Sequence, residues 1–360
     1  MIRCDALVVG GGPAGSTCAR VLARAGWDVA IVDTARFPRD KVCAGWLTPD
    51  VFGLLELDPE EYRATGLTLQ AITAFRTGVV GARLVDTQYP RVVSYAIRRY
   101  EFDAFLLRRA GVRVLEGTPL KTLRRDRDTW VANDAIEARI VVGAGGHFCP
   151  VARHLRGGAD VRGPVVAKEA EFKMDARTAR AVPDAPELFF CRDLNGYGWS
   201  VRKGDYLNVG IGRRTSDGFG THVKDFMAFL EERGTLAHAD SLRWRGHAYL
   251  AYGAGSRPLT GEGLLLVGDA AGLAYPESGE GIKPAIASGR LAAETLVTIQ
   301  GRGTREALQA YDRALRQRYP PTAEHAAPTQ RARATIGRWL LGSRAFTRHV
   351  VLDRWFLRAS

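Results

Sequence analysis

The stretch of residues 6–15, Ala-Leu-Val-Val-Gly-Gly-Gly-Pro-Ala-Gly, decides the fold of this chain. Its first four residues are apolar and predict a buried strand, and Gly10, Gly12 and Gly15 have the G-x-G-x-x-G spacing of a dinucleotide-binding turn. The first glycine permits a tight turn, the second lets the backbone approach a pyrophosphate, and the third lets a helix pack closely on the strand. The sequence therefore predicts a strand, a phosphate-binding turn and a helix.

The residues that follow complete a β–α–β unit. A helix is predicted over residues 16–25, and a second apolar run over residues 29–32 ends in Asp33. The helix N-terminus offers free N–H groups and a partial positive charge to phosphates, and a carboxylate about twenty residues after the turn can bind a ribose. The predicted dinucleotide-binding residues of this unit are Gly10, Gly12, Pro13, Ala14, Gly15 and Asp33.

The composition is that of a globular chain with an excess of positive charge. The 360 residues carry a formal net charge of +12, and the arginines are mostly spread along the chain. We interpret them as a solvated, arginine-rich surface, and an anionic membrane or polyanionic ligand is the alternative interpretation. We predict no nucleic-acid partner.

The cysteines and histidines do not indicate a metal site. The five cysteines are scattered without a C-x-x-C pair, and the seven histidines contain no H-E-x-x-H group. No apolar stretch reaches the roughly eighteen residues that span a bilayer, and the first residues have no signal-peptide pattern. We therefore expect no metal ion, no disulfide framework and a cytoplasmic location.

The pattern of apolar residues predicts an interrupted α/β fold. Residues 67–97 and 165–252 alternate apolar and polar side chains, which is typical of antiparallel hairpins, whereas buried strands and helices are predicted on either side of them. We predict a Rossmann-like dinucleotide-binding domain with an inserted antiparallel-sheet substrate domain and C-terminal helices. The predicted boundaries are 1–66, 98–160 and 256–300 for the first domain, 67–97 and 161–255 for the second, and 301–360 for the helical segment.

Four motifs occur in order along the chain. Besides the N-terminal turn, they are Phe-Pro-Arg-Asp-Lys-Val-Cys-Ala-Gly-Trp at 37–46, Arg-Tyr-Glu-Phe-Asp at 99–103, and Gly-Asp-Ala-Ala-Gly at 268–272, followed by Gly-Glu-Gly-Ile at 279–282. Together they resemble the FAD-dependent oxidoreductases built like p-hydroxybenzoate hydroxylase, and within them the geranylgeranyl reductase group. The resemblance covers residues 2 to about 300.

The resemblance implies bound FAD and NAD(P)H as the electron donor. Asp269 ends a buried strand, where it would bind a ribityl hydroxyl, and Gly279 and Gly281 would let backbone N–H groups approach the flavin O2 edge. Beyond the N-terminal unit, the implied FAD-binding residues are Lys41, Cys43, Ala44, Arg99, Gly145, Gly268, Asp269, Gly279, Gly281 and Ile282.

Two residues are candidates for catalysis. In the reductases a cysteine at the second motif lies near the isoalloxazine, so Cys43 would shape substrate approach or protonate a product carbon, and the alternative is a small apolar filler of the core. His147 follows Gly145 and Gly146, where many monooxygenases of this fold have Asp-Gly. His147 is predicted to be either a proton donor or a structural histidine.

A further group is predicted to line the substrate pocket. Residues 197–202, Tyr-Gly-Trp-Ser-Val-Arg, resemble the Y-x-W-x-F-P strand of the prenyl pocket in the reductases. An arginine in place of proline argues against a long prenyl tunnel and suits a polar or anionic substrate, and core aromatics are the alternative role of the rings. The predicted pocket residues are Trp46, Tyr197, Trp199, Arg202 and Pro276.

The resemblance implies two reactions. In the first, reduced flavin delivers a hydride to a C=C bond of a prenyl, quinone-like or polyketide-type substrate. In the second, a monooxygenase reaction, reduced flavin captures oxygen as a C4a-hydroperoxide that hydroxylates an electron-rich substrate. The cysteine motif and Gly-Glu-Gly-Ile favour reduction, and a flavin electron carrier is the alternative outside catalysis.

The basic segment 331–358 interleaves arginines with apolar residues. We expect it to pack as a helix on the FAD domain, and the alternative is a peripheral contact with an anionic membrane surface. The expected partner is a small hydrophobic or aromatic molecule.

Overall fold

A computed structural model describes residues 1–157, 165–236, 239–249, 258–320 and 330–358. Within these residues the strands are β1 (Ile2–Val9), β2 (Val29–Asp33), β3 (Trp46–Leu47), β4 (Leu69–Ile72), β5 (Ala74–Val79), β6 (Val85–Gln88), β7 (Ser94–Ile97), β8 (Arg113–Glu116), β9 (Leu123–Asp126), β10 (Thr129–Ala132), β11 (Ile136–Gly143), β12 (Val165–Lys173), β13 (Glu187–Phe190), β14 (Gly196–Lys203), β15 (Tyr206–Arg213), β16 (Arg245–Tyr249), β17 (Thr260–Gly261) and β18 (Leu264–Leu266). The helices are α1 (Pro13–Arg24), α2 (Asp50–Leu55), α3 (Pro59–Ala64), α4 (Arg99–Ala110), α5 (Pro150–Leu155), α6 (Ala176–Ala181), α7 (Phe219–Glu232), α8 (Ile282–Thr298), α9 (Arg305–Arg318), α10 (Gln330–Leu341) and α11 (Arg344–Phe346), which a π-helix over Thr347–Phe356 continues.

The first sheet is built around the apolar strand β1. Its main path runs β17-β18-β11-β1-β2-β8, and β10 pairs with β11 and with β9. Strand β1 is parallel to both neighbours, with Ala6 level with Val29 on one side and with Ile140 on the other. Because α1, α4 and α8 pack together beside this sheet, residues 6–9 of β1 are buried, as their apolar run requires. The predicted β–α–β unit and the Rossmann-like fold are confirmed.

The glycine turn has the close approaches that its spacing predicts. Gly10 has φ +114°, and a Cβ atom there would lie 2.4 Å from the carbonyl oxygen of Ala144. A Cβ atom on Gly15 would lie 1.9 Å from the carbonyl oxygen of Gly10. Helix α1 begins at Pro13 rather than Ser16. Proline suits the first turn of a helix, because N–H groups there have no acceptor within the helix and the absence of one costs no hydrogen bond.

In the part of the chain that the structure describes, the second sheet has seven strands in the order β16-β12-β15-β14-β13-β5-β6. All of its pairs are antiparallel except β13 with β5, which is parallel. One set of alternate residues of its central strands packs on the C-terminal segment, and the other set faces α7 and packs on Phe226 and Leu230. The predicted antiparallel sheet therefore exists, with one parallel junction that the alternation of side chains did not indicate.

A small third sheet, β3-β7-β4, joins the segments before and within residues 67–97. Residues 67–97 thus contribute strands to two sheets, and β3 comes from the range assigned to the dinucleotide domain. The boundaries predicted at residues 160/161 and 255/256 lie outside the described residues. The division into domains stays a prediction.

The C-terminal segment packs mainly on the second sheet. Leu341, Val351, Leu352 and Phe356 are buried in one cluster with side chains of β5, β13 and β14. The expectation of a packed helix is met, but the partner is the second sheet rather than the FAD domain. No helix in the described ranges combines the length and the apolar character that crossing a membrane requires.

Candidate active site

A cavity of about 580 Å³ lies where the first sheet, the second sheet and the N-terminus of α8 meet. Its volume falls in the range of sites for organic ligands. Most of the residues predicted from the sequence line it, namely Gly10, Gly12, Pro13, Ala14, Asp33, Lys41, Cys43, Ala44, Trp46, Arg99, Gly145, Tyr197, Trp199, Asp269, Pro276, Gly279, Gly281 and Ile282. The fold therefore collects four motifs that are distant in the sequence around one space.

Asp33 is fixed at the edge of this cavity by the backbone. Its Oδ2 accepts a hydrogen bond of 2.7 Å from the N–H of Gly11, and its Oδ1 accepts one of 2.7 Å from the N–H of Ala35. Gly11 belongs to the turn itself, so the carboxylate and the phosphate-binding backbone keep one relative position. This arrangement suits a ribose hydroxyl next to a phosphate.

A cluster of cations lies over the glycine turn. Arg99 Nε and Nη2 each lie 2.7 Å from a carboxylate oxygen of Asp103, so this buried pair is bidentate. Arg39 Nη1 lies 3.2 Å from Asp103 Oδ2 as an ion pair, but it is buried and makes no hydrogen bond. A Cβ atom on Gly12 would lie 3.4 Å from Arg39 Nη2, so this guanidinium stands directly over the turn.

The polar groups at this end of the cavity fit the pyrophosphate and ribose of FAD. One carboxylate, Asp103, serves two guanidinium groups, and the buried Nη1 atom of Arg39 has donor capacity that the protein does not use. A dianionic pyrophosphate above Gly12 would supply the missing acceptor. Arg39 was quoted within its motif but was not predicted as a binding residue.

Lys41 and His247 form a second basic pair in the cavity wall. Lys41 Nζ lies 2.6 Å from His247 Nε2, and burial lowers the pKa of Lys41 to about 8. Burial and then the charge of Lys41 lower the pKa of His247 to about 3, so the imidazole is neutral at pH 7. A neutral ring nitrogen can accept a hydrogen bond from the Lys41 ammonium, so Lys41 is the donor of the pair and His247 the acceptor.

The N-terminus of α8 opens onto the same cavity. A Cβ atom on Gly281 would lie 3.2 Å from Asp269 Oδ1, so the glycine keeps this carboxylate accessible. Glu280 Oε1 accepts a hydrogen bond of 2.7 Å from the N–H of Lys283 in the first turn of the helix. Burial raises the pKa of Glu280 to about 7. This edge therefore offers backbone N–H groups and a weakly acidic carboxyl to a ligand.

Behind Cys43 lies a buried polar network from the second sheet. The N–H of Cys43 donates a hydrogen bond of 2.7 Å to Glu169 Oε2, and Asn208 Nδ2 lies 3.3 Å from the same oxygen. Asn208 Oδ1 in turn accepts a hydrogen bond of 2.6 Å from Trp199 Nε1. Burial raises the pKa of Glu169 to about 7. The network thus ties the backbone of the cysteine motif to the ring of Trp199.

A buried lysine completes this network. Lys203 is fully buried, and its Nζ lies 2.7 Å from Glu171 Oε2. Burial alone would raise the pKa of Glu171, but Lys203 and Arg98 lower it below its ordinary value. Glu171 is therefore ionised and Glu169, two residues away on the same face of β12, is the protonatable member of the pair.

The apolar end of the cavity is aromatic. Trp46, Tyr197 and Trp199 line it, with the rings of Tyr197 and Trp199 6.0 Å apart. The hydroxyl of Tyr197 donates a hydrogen bond to the carbonyl oxygen of Ser278, in the loop before α8. Cys43 also lines the cavity, and its Sγ accepts a hydrogen bond of 3.3 Å from the N–H of Gly45. Cys43 is partly buried, because it packs on an apolar cluster and also borders the cavity.

Four predicted residues do not line the cavity. Gly15 and Gly268 act through packing, and the ring of His147 lies 4.6 Å from that of Phe148 at the cavity mouth. Arg202 is a correction, because its Nη1 donates a hydrogen bond of 3.1 Å to the carbonyl oxygen of Ala179 on the opposite face of the sheet. Successive residues of a strand alternate in direction, so Tyr197 and Trp199 face the cavity and Arg202 cannot.

The sequence analysis missed the network residues of the second sheet. Glu169, Lys203, Asn208 and His247 have no motif of their own. A usable signal exists on β12, where Ala167, Glu169 and Glu171 share one face, so two acids follow an apolar residue on the side turned to the core. Carboxyl groups on a buried strand face need hydrogen-bond or ionic partners, so their presence indicates a buried polar site.

The comparisons with known proteins agree with this geometry. The sequence pattern of the FAD binding domain family matches residues 3–190, more than half of the chain. The chain belongs to this family. It is an FAD-dependent oxidoreductase, and the cavity that collects its motifs is the candidate FAD site.

Two curated relatives of this chain are named as reductases. Geranylgeranyl diphosphate reductase of Rhodobacter capsulatus is 30% identical over 311 residues, 81% of this chain and 75% of the relative. Menaquinone reductase of Mycobacterium tuberculosis is 31% identical over 327 residues, 81% of this chain and 76% of the relative. The resemblance to the geranylgeranyl reductase group is confirmed.

Two solved structures share the fold. A geranylgeranyl bacteriochlorophyll reductase-like protein from Thermoplasma acidophilum superposes with a TM-score of 0.73 at 23% identity, covering 95% of this chain and 88% of that one. PqsL from Pseudomonas aeruginosa, named as a probable FAD-dependent monooxygenase, gives a TM-score of 0.68 at 19% identity, covering 95% of this chain and 96% of that one. At these identities the likeness concerns the fold alone.

Proposed function

We propose that this flavoprotein reduces a C=C bond of a quinone-like, prenyl or polyketide-type substrate. The observation that carries the proposal is a single cavity that joins a dinucleotide-binding end to an aromatic end formed by Trp46, Tyr197 and Trp199. Aromatic walls favour a planar or unsaturated apolar substrate, and a contact between substrate and flavin requires both to share one cavity. Two curated relatives carry the names of a geranylgeranyl diphosphate reductase and a menaquinone reductase, which supports this substrate class.

The residues at the dinucleotide-binding end would hold FAD, which supplies a hydride when reduced. Asp33 would bind the ribose, Gly12 and Arg39 the pyrophosphate, and Asp269 the ribityl chain. The N-terminus of α8, beginning at Ile282, would stabilise negative charge at the near edge of the ring system. We propose NAD(P)H as the electron donor, as the family resemblance implies.

Lys41 and Cys43 are the candidates for delivery of the proton. Both line the cavity, and Lys41 holds its proton at Nζ against the neutral His247. With a pKa of about 8, Lys41 is protonated at pH 7 and gives up its proton more readily than an exposed lysine does. Cys43 Sγ, which accepts from the N–H of Gly45, has its own S–H to donate.

The second candidate function is hydroxylation of an aromatic substrate. The fold of PqsL and the aromatic walls favour it, because a monooxygenase of this fold also needs an electron-rich ring beside the flavin. Gly145 stands against it, since many monooxygenases of this fold have an aspartate at this position. The third role, an electron carrier, does not need the aromatic end of the cavity.

A turnover experiment with two atmospheres tests these alternatives. The FAD-loaded protein is mixed with NADPH or NADH and a panel of quinones, prenyl diphosphates and aromatic acids, and products are identified by mass spectrometry. A reductase adds two hydrogens under anaerobic conditions. Incorporation of isotopically labelled oxygen under air would overturn the proposal in favour of hydroxylation, and electron transfer only to a redox protein would indicate a carrier.

A further inference from the structure

Phe356 forms a second layer behind the aromatic wall of the cavity. Its ring centroid lies 5.6 Å from that of Trp46 and 5.2 Å from that of Tyr197, and both of these residues line the cavity. Phe190 lies 6.4 Å from Phe356 on a further side. Phe356 is only 2% exposed and belongs to a buried apolar cluster, so other side chains enclose its ring.

The segment that carries Phe356 is fastened to the site. Asp353, three residues before Phe356, accepts a hydrogen bond of 2.7 Å from the hydroxyl of Tyr89. Arg358, two residues after Phe356, donates a hydrogen bond of 2.8 Å to Glu277, which itself lines the cavity. Because contacts hold the segment on both sides of Phe356, the ring is a fixed part of the site.

The position of this ring limits the room for a substrate tail. The glycine turn, Asp33 and Asp269 would take the dinucleotide at one end of the cavity, so an acceptor is confined to the end formed by Trp46, Tyr197 and Trp199. A chain that extends past Trp46 and Tyr197 meets Phe356 and the buried cluster around it. The planar head of an acceptor can fit between the rings, but a long tail has to displace a packed core.

We infer that Phe356 sets the maximum length of the apolar tail, and that the substrate is a compact quinone or a short prenyl group rather than a long polyprenyl chain. This inference rests on the proposed function. It assigns a specificity role to a residue of the C-terminal segment that does not touch the cavity itself. Phe356 is a positioning residue, because it supports Trp46 and Tyr197 from behind and fills the space into which a longer tail would displace them.

A series of naphthoquinones with side chains of increasing length tests the inference. The head group stays constant while the side chain has no, one, two or four isoprene units. Binding to the oxidised, FAD-loaded protein is measured by calorimetry, and turnover is measured in parallel. Phe356→Ala should leave a dry, apolar space behind the wall, as emptied core positions do. We expect the four-unit compound to gain at least about tenfold in affinity, and the compound without a side chain to change little.

Leu352→Ala is the matched control. Leu352 is fully buried in the same π-helix and the same cluster, but it is not an aromatic residue behind Trp46 and Tyr197. Its replacement should therefore weaken the core and leave Phe356 in place behind the wall. Phe356→Leu keeps an apolar side chain and provides a second test if Phe356→Ala does not fold. It should shift the preferred length in the same direction by a smaller amount.

The outcomes separate the two proposals. The inference about Phe356 is wrong if wild-type protein binds the four-unit compound as tightly as the unsubstituted one. It is also wrong if the affinity depends on side-chain length in the same way in the Phe356 variants and in Leu352→Ala. In both cases the reductase function stands. If no naphthoquinone binds or is reduced by FAD-loaded wild-type protein, the proposed quinone-like substrate fails and the length limit fails with it.

Discussion

The indole ring of Trp199 lies across Gly210, where a Cβ atom would be only 2.3 Å from Trp199 Cζ2. The two residues are directly opposite each other on β14 and β15. Since Gly210 has no side chain, the ring lies against the neighbouring strand and its Nε1 reaches Asn208. The shape of the aromatic end of the cavity therefore depends on the absence of one methyl group in the adjacent strand.

We expect Gly210→Ala to displace Trp199 and to destabilise the protein by about 1–3 kcal/mol, the usual cost of an added methyl group in a packed core. Acceptor binding should weaken as well, because the ring forms part of the wall. Thermal and denaturant unfolding measure the first effect and calorimetry the second. Gly212→Ala is the control, because its Cβ would lie 3.8 Å from Trp199 Cζ3, an ordinary contact. Equal destabilisation by the two substitutions would contradict this account.

Arg39→Gln should weaken FAD binding by about ten- to a hundredfold. Its guanidinium stands over Gly12 with a buried nitrogen that makes no hydrogen bond, and a charge-assisted hydrogen bond to phosphate contributes about 1.5–3 kcal/mol. Titration of the FAD-free protein with FAD, followed by flavin fluorescence, measures the dissociation constant at two salt concentrations. Arg124→Gln, on the exposed edge strand β9, should leave the constant unchanged. If both variants bind FAD like the wild type, Arg39 does not contact the pyrophosphate.

Glu169 should make the stability of the protein depend on pH between about 4.5 and 7. Burial raises the pKa of Glu169 to about 7, so the folded state binds the proton more tightly than the unfolded state. The stabilisation is complete below the ordinary pKa and is lost as the pH rises through 7, with a magnitude of up to roughly 3 kcal/mol. His247, whose pKa is lowered to about 3, acts with the opposite sign up to its ordinary pKa, so we expect Glu169→Gln to make the slope of unfolding free energy against pH more positive over this window.

Chemical denaturation at a series of pH values provides this measurement. Glu61→Gln, on the exposed surface of α3, is the control and should retain the wild-type slope. A wild-type slope in Glu169→Gln would show that Glu169 does not exchange its proton in this range. Glu280, whose pKa burial also raises to about 7, contributes with the same sign and remains in both variants.

Trp339 and Ile336 should mediate binding to an anionic membrane surface. They are 76% and 60% exposed on α10, with the cation Arg338 between them, in a segment with seven arginines and one aspartate between residues 330 and 358. Basic helices with exposed aromatic residues bind such surfaces through apolar insertion and charge. In co-sedimentation with vesicles that contain phosphatidylserine, Trp339→Ala should reduce the bound fraction several-fold. Val297→Ala, an exposed apolar residue on α8, should not. If the protein binds neutral vesicles as well as anionic ones, the predicted contribution of the arginines to membrane binding is wrong.

The N-terminal unit and its cofactor were predictable because their signal is local. Gly10, Gly12, Gly15 and Asp33 lie within 24 residues, and the geometry that they require is that of one turn and the two elements beside it. The orientation of Arg202 was not predictable from the motif. A motif gives the type of residue at each position, and it does not show which face of the strand borders the cavity. The ion pair between Arg213 and Asp193 was not predictable either. The two guanidinium–carboxylate hydrogen bonds join residues 20 positions apart, which the hairpin of β14 and β15 brings together.

The sequence by itself determined the α/β fold, the FAD-binding turn and the family, because short-range spacing of glycines, acids and apolar residues encodes them. Only the tertiary structure decided the aromatic end of the cavity. It brings Glu169 to the N–H of Cys43 across 126 residues of chain, and it sets Phe356 behind Trp46. These contacts depend on the register of β12, β14 and β15 and on the packing of the C-terminal π-helix. Such long-range pairings leave no fixed spacing in the sequence, because a residue is buried or exposed according to what packs against it.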